Sequence, residues 1–264
     1  TEIYTLSLHD ALPILATLTP DAYCPSAASK LQHLLGCRNI MAMDVNAACS
    51  GFLYGLQTGR ALASLTPGSK VLLVAAEVLS GRTNWTDRST CVLFGDGAGA
   101  VVLTADPAAR GAVVEDVDLH ADGQFWDLLT VRGGGSGTPY KLGETIGENF
   151  FIQMAGRETF KQATRAMEAV SRDMLAKHGL AVADVDVFIS HQANLRIISY
   201  VGKKLGFSEE QVYVNVDRYG NTSAASMGIA LAEARERGVI KDGHRVMLTV
   251  FGGGLTWGTA LLRF

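Results

Sequence analysis

One feature constrains the fold of this 264-residue chain more than any other: it carries the same pattern twice. ACSGFLYGLQTGRALASL, KVLLVAA and FGDGAGAVVLTA follow one another between residues 48 and 105. NTSAASMGIALAEARERG, RVMLTVF and GGGLTWGTALLRF repeat that order between residues 221 and 264. Each time a small-residue helix start leads into a long helix, an apolar strand, a glycine-rich turn and a closing strand. Three elements in one order argue for a duplicated architecture. Reactive groups are then expected at helix starts and loops around the interface of the halves.

The rest of the chain fits that frame. β-Rich runs predict strands at about 41–46, 70–76, 100–104, 185–190, 212–216, 245–251 and 258–263. Helical periodicity predicts helices at about 26–36, 49–65, 154–178, 195–206 and 222–237. Alternating strands and helices imply an α/β fold containing parallel sheet. The halves divide at about 15–150 and 151–264. Residues 1–14, TEIYTLSLHDALPI, lack the basic and long apolar regions of a signal peptide. They join poorly to the residues after them and read as a non-native leader.

Composition excludes several classes. A net charge of −3 gives no reason to expect nucleic acid or an anionic membrane as partner. No apolar run reaches eighteen residues, so no membrane span is expected. The four cysteines, Cys24, Cys37, Cys49 and Cys91, show no C-x-x-C pairing, which argues against zinc and against a disulfide framework. A reducing cytoplasm fits this usage.

Cys49, in DVNAACSGF, falls where a strand gives way to the first turn of a helix. Unpaired N–H groups and the positive end of the helix dipole favour a thiolate there. A buried cysteine acting as a small hydrophobe is the alternative, and packing is the expected role of the other three. His191 ends the apolar run VDVFIS and opens HQANLRII, at a strand C-terminus where α/β sheets place ligands; a satisfied structural histidine fits equally. Asn221, in DRYGNTSAAS, could be an ordinary helix N-cap. The glycines of FGDGAGAVVL precede a strand instead of linking strand to helix, so the dinucleotide fingerprint fails. FGGGLTWG has the same context, and its glycines could bring a bare backbone N–H against a reacting atom.

Taken together, NAACSGF, FGDGAGAVVL, HADG, SHQANLRI, DRYGNTSAAS and FGGGLTWG resemble, in order and spacing, the β-ketoacyl-acyl-carrier-protein synthase III family. The likeness runs from about Leu15 to Phe264. It implies a thiolase-like fold of two duplicated α/β halves, with mixed sheets and helices between them. It also implies a catalytic set of Cys49, His191 and Asn221, and an oxyanion hole from the backbone N–H groups of Cys49 and Gly253. Elongating synthases instead resemble a Cys-His-His pattern, whereas this chain has Asn at 221.

The resemblance implies acyl-coenzyme A and acyl carrier protein as partners, a homodimer, and no metal or redox cofactor. Arg88, in TDR, resembles an arginine that packs beside the coenzyme A adenine; an exposed loop arginine is the other reading. Arg157, Lys161, Arg196, Lys203 and Lys204 form the candidate cationic surface for the carrier, unless they are only solvated helix charges. Cys24, in AYCPSAA, stands where the family often has a phenylalanine that closes the partner's acyl pocket. Family members also begin with a strand–helix–strand stretch ahead of the position of Leu15, which leads to the expectation that this chain is a fragment. A non-catalytic partner subunit is disfavoured because Cys49 is present. A starter-unit enzyme of secondary metabolism with a longer or branched donor is the alternative.

Overall fold

The computed structural model describes residues 8, 10–65 and 68–264. Its ten strands are β1 (Ala11–Ala16), β2 (Met43–Val45), β3 (Lys70–Glu77), β4 (Gly97–Thr104), β5 (Val113–Ala121), β6 (Leu129–Thr130), β7 (Gln153–Met154), β8 (Val187–Ser190), β9 (Arg245–Gly252) and β10 (Thr256–Arg263). The helices are α1 (Ala27–Leu34), α2 (Gly51–Leu65), α3 (Gly156–Lys177), α4 (Leu195–Leu205), α5 (Val216–Tyr219) and α6 (Ala225–Glu236).

The echo in the sequence is an echo in the sheets. The first sheet runs β2-β1-β3-β4, with β1 parallel to β2 and β3, and β4 antiparallel to β3. The second runs β5-β10-β9-β8, with β8 parallel to β9 and β10 antiparallel to both neighbours. Thus β1-β3-β4 and β8-β9-β10 share one arrangement. The long helices of the repeat, α2 and α6, pack between the sheets. One buried cluster joins Phe52, Leu53 and Leu56 of α2, Met227 and Ala230 of α6, Ile14 and Leu73 of the first sheet, and Ile189 and Leu248 of the second. The outer face of the second sheet is covered by α3 and α4, through Met167, Met174, Ile197 and Val201 against Phe188, Met247 and Leu261. Both faces of that sheet are therefore buried, which is why its strands read as continuous apolar runs. No helix among the described residues is long and apolar enough to cross a membrane.

Three sequence expectations need correction. Residues 11–14, assigned to a leader outside the fold, begin β1, in which Ala11 and Ile14 are fully buried; residues 1–7 and 9 of that leader lie outside the described residues. Pro13 is tolerated because pairing with β2 starts only at Ile14, so β1 is flanked there by β3 alone. β5, counted with the first half, pairs with β10 of the second. Residues 212–216 form no strand. Val212 makes one isolated bridge to Phe188, and the chain then turns into α5.

Candidate active site

The three residues singled out for chemistry come from three separate segments and line one cavity of about 780 Å³. Cys49 lies in the single 3-10 turn Ala48–Ser50 that precedes α2. Its placement is tight. Ala48 is held at φ +45°, a region that L-residues enter only under constraint. Ser50 Oγ donates to Thr256 O at 3.1 Å, and Thr256 Oγ1 donates to Ala47 O at 3.1 Å. The turn carrying Cys49 is thus tied to the start of β10. Gly252 has to be glycine here, because a Cβ would stand 2.8 Å from Cys49 N and 2.9 Å from Ser50 N.

His191 follows β8, and its N–H donates to Thr249 O of β9 at 2.7 Å. The residue is 3% exposed, and its buried Nδ1 has no hydrogen-bond partner among the described residues. Asn221 is clamped to the first half by its backbone, which donates to Leu93 O at 2.8 Å and accepts from Gly95 N at 3.0 Å. Its side-chain Oδ1 accepts the N–H of Ser223 at 2.9 Å, which leaves the amide Nδ2 as the group available to a ligand. The N-cap alternative for Asn221 does not hold, since α6 begins at Ala225.

Burial sets the charge state of the site. It pushes the Cys49 thiol up to about 11, opposed by the neighbouring Ser223 hydroxyl and assisted by the buried Glu77 carboxylate. Burial also pulls His191 down to about 4. Both shifts favour the uncharged forms, a thiol and a neutral imidazole lining one cavity. The thiolate expected from the helix start is not the resting form, because loss of water around the sulfur outweighs the few N–H groups of one turn. Glu77 is itself buried at the end of β3, held by Thr19 Oγ1 at 2.7 Å and Leu18 N at 3.1 Å.

Cys49 also lines a second, smaller cavity of about 240 Å³ with Leu18, Leu79, Val131, Ile152, Ser223 and Gly253. Phe94 and Leu129, like Cys49, line both cavities. Sequence reading missed Phe94, although it opens the singled-out string FGDGAG. Leu129 had no local signal.

The other candidates separate. Arg157 and Arg196 line the large cavity. Lys161 is exposed and lies 3.7 Å from Glu158, and Lys203 and Lys204 are exposed in the last turn of α4. Arg88 is exposed and outside the lining of both cavities. Cys24 is likewise exposed and lines neither, so within its own chain it is neither a packing cysteine nor part of a pocket floor.

Comparison with known proteins meets this geometry. Family models for 3-oxoacyl-[acyl-carrier-protein (ACP)] synthase III and for its C-terminal region match residues 43–123 and 175–264. β-Ketoacyl-[acyl-carrier-protein] synthase III of Nitratidesulfovibrio vulgaris strain DP4 is 56% identical over 253 residues, covering 95% of this chain and 76% of that protein. The chain belongs to the β-ketoacyl-[acyl-carrier-protein] synthase III family. Its counterpart in Oleidesulfovibrio alaskensis is 54% identical over 260 residues, covering 97% of this chain and 79% of the relative. The crystal structure of 3-oxoacyl-[acyl-carrier-protein] synthase III from Aquifex aeolicus VF5 superposes with a TM-score of 0.87 at 43% identity, over 98% of this chain and 79% of that one. The enzyme is a condensing acyltransferase of fatty acid biosynthesis with the thiolase-like fold.

Proposed function

We propose that the enzyme condenses a short acyl-coenzyme A with malonyl-acyl carrier protein through an acyl group carried on Cys49. One observation carries this reading: Cys49 stands between a large cavity shared with His191 and Asn221 and a smaller, largely apolar one. In the first half-reaction the Cys49 sulfur attacks the thioester carbonyl. Its proton passes through water to the departing coenzyme A thiolate, so this half-reaction does not depend on His191. Backbone N–H groups of Cys49 and Gly253 hold the developing oxyanion, and the acyl chain enters the smaller cavity.

In the second half-reaction the neutral His191 ring and the Asn221 amide donate to the malonyl thioester carbonyl. The carbon–carbon bond to the malonyl carboxylate breaks and carbon dioxide leaves. The electron pair of that bond forms an enolate, which attacks the acyl carbonyl and expels the Cys49 thiolate, and this takes a proton from solvent to restore the thiol. Every step is acyl transfer to sulfur or carbon, or decarboxylation, with no change that calls for a metal or redox cofactor.

Arg157 and Arg196, at the wall of the large cavity, suit the phosphopantetheine arm, and Lys161, Lys203 and Lys204 extend the cationic surface to an acidic carrier. We place Arg88 on the coenzyme A side. A homodimer working in the cytoplasm completes the reading, with Cys24 reaching the partner's acyl pocket across the dimer.

The test is intact-mass measurement after mixing with acetyl-coenzyme A, followed by carbon dioxide release from malonyl-acyl carrier protein. Cys49→Ala should carry no acyl adduct. His191→Ala and Asn221→Ala should still acylate but release carbon dioxide about 10²-fold more slowly or worse. Adduct on the Cys49→Ala protein would end the nucleophile assignment. A panel of longer and branched donors separates fatty acid initiation from a secondary-metabolism starter.

A further inference from the structure

His191 and Asn221 serve one substrate oxygen only if their separation is fixed, yet they sit on different segments with 29 residues between them. What joins those segments is the side chain after His191. Gln192 is 1% exposed, and all four hydrogen-bonding positions of its carboxamide are used on backbone groups. Nε2 donates to Ser190 O at 2.8 Å and Tyr213 O at 3.3 Å. Oε1 accepts from Asn215 N at 2.8 Å and Val216 N at 3.1 Å. One amide therefore staples the end of β8 to the start of α5. From α5 the chain passes through Gly220, at φ +66°, directly into Asn221.

A second group grips the same segment from the other side. Glu233 of α6 accepts from Asn215 Nδ2 at 2.8 Å and from Arg218 at 2.9 Å. Residues 213–219 cannot slide along β8 without breaking both attachments. A hydrophobic residue at 192 would leave two N–H groups and two carbonyls without these partners inside the protein.

We propose that Gln192 is a positioning residue of the condensation, setting the distance between the two donors that hold the malonyl thioester carbonyl. The inference rests on the roles given above to His191 and Asn221. It separates the two half-reactions, because the turn bearing Cys49 is anchored independently through Ser50, Thr256 and Ala47.

The experiment measures both half-reactions in single turnovers for wild type, Gln192→Ala, Gln192→Glu and His191→Ala. Gln192→Ala should slow carbon dioxide release from malonyl-acyl carrier protein by about ten- to hundredfold, the scale of loss when reacting groups are misplaced by an ångström. Cys49 acylation should change by less than about threefold, since its anchor is untouched. Gln192→Glu keeps the acceptor for Asn215 and Val216 and loses the donations to Ser190 and Tyr213, so it should fall between. If Gln192→Ala does not fold, the same split read on Gln192→Glu decides. Parallel loss of both half-reactions, or no loss in either, overturns the proposal. If His191→Ala leaves decarboxylation intact, the underlying reading has failed instead, whatever the Gln192 variants show.

Discussion

At the scale of single residues, burial favours the uncharged forms of Cys49 and His191. It raises Cys49 to about 11 and lowers His191 to about 4. A neutral ring retains one N–H, the donor that the proposed decarboxylation uses. Unliganded Cys49 should accordingly react slowly with iodoacetamide at neutral pH. Its alkylation rate should climb about tenfold per pH unit from 7 to 9 without levelling, because the thiolate is the reactive species. Peptide mapping at Cys49 across that range checks it. A plateau near pH 7 would show that the helix start holds a thiolate after all. Sequence alone named Cys49, His191 and Asn221, which the fold brings to one cavity. It gave the wrong charge state because desolvation depends on walls such as Phe94 and Leu129, which the linear order does not reveal. Gln192 escaped notice for a related reason: a glutamine matters here through which distant backbone groups it meets.

Elements were legible where their pattern is local. The apolar runs of β3, β9 and β10 and the periodicity of α3 and α4 are dictated by burial of their own faces. β5 was not legible, since VVEDVDLHA buries only Val117 and carries Glu115, Asp116 and Asp118. Its strand state comes from pairing with β10, and Asp116 is taken up at the end of α3 by Lys177 at 2.7 Å and His178 at 2.9 Å. VYVNV misled in the opposite direction: its β-propensity is overridden once Gln192 and Glu233 seize Asn215. The glycines of FGDGAG have an element-level purpose as well. A Cβ on Gly99 would lie 2.6 Å from Gly228 C and 2.7 Å from Ile229 N, so β4 touches α6 backbone to backbone. Gly99→Ala should lower stability by about 1–3 kcal/mol or more through overpacking. Gly81→Ala, with open space at its Cβ, should stay within about 0.5 kcal/mol. Thermal melting of the two variants side by side distinguishes this interlock from a general intolerance of lost glycine.

For the whole molecule, the consequence of duplication is that chemistry sits at a seam. Asn221 bridges to Phe94 across the halves, Ser50 and Thr256 do the same beside Cys49, and His191 lines the pocket at the end of a strand of the second sheet. A titrating group buried at that seam couples charge to global stability. The unfolded chain protonates His191 below about pH 6.5, whereas the folded protein resists until about pH 4. The stabilising contribution is therefore complete above pH 6.5 and is withdrawn as pH falls toward 4. Between pH 7 and 5 this amounts to about 2 kcal/mol, and to roughly 3 kcal/mol by pH 4. Glu77 works in the opposite sense, since burial raises its carboxyl and a raised acid loses stability as pH climbs. Wild type alone thus mixes the two slopes, and the comparison that isolates His191 is with His191→Asn, which keeps Glu77. Between pH 7 and 5 the melting temperature of wild type should drop by about 4 °C or more beyond any drop in the variant, given the usual shift per kcal/mol for a chain of this size. Parallel melting curves for the two proteins across that range would mean that the imidazole gains its proton without opening the seam.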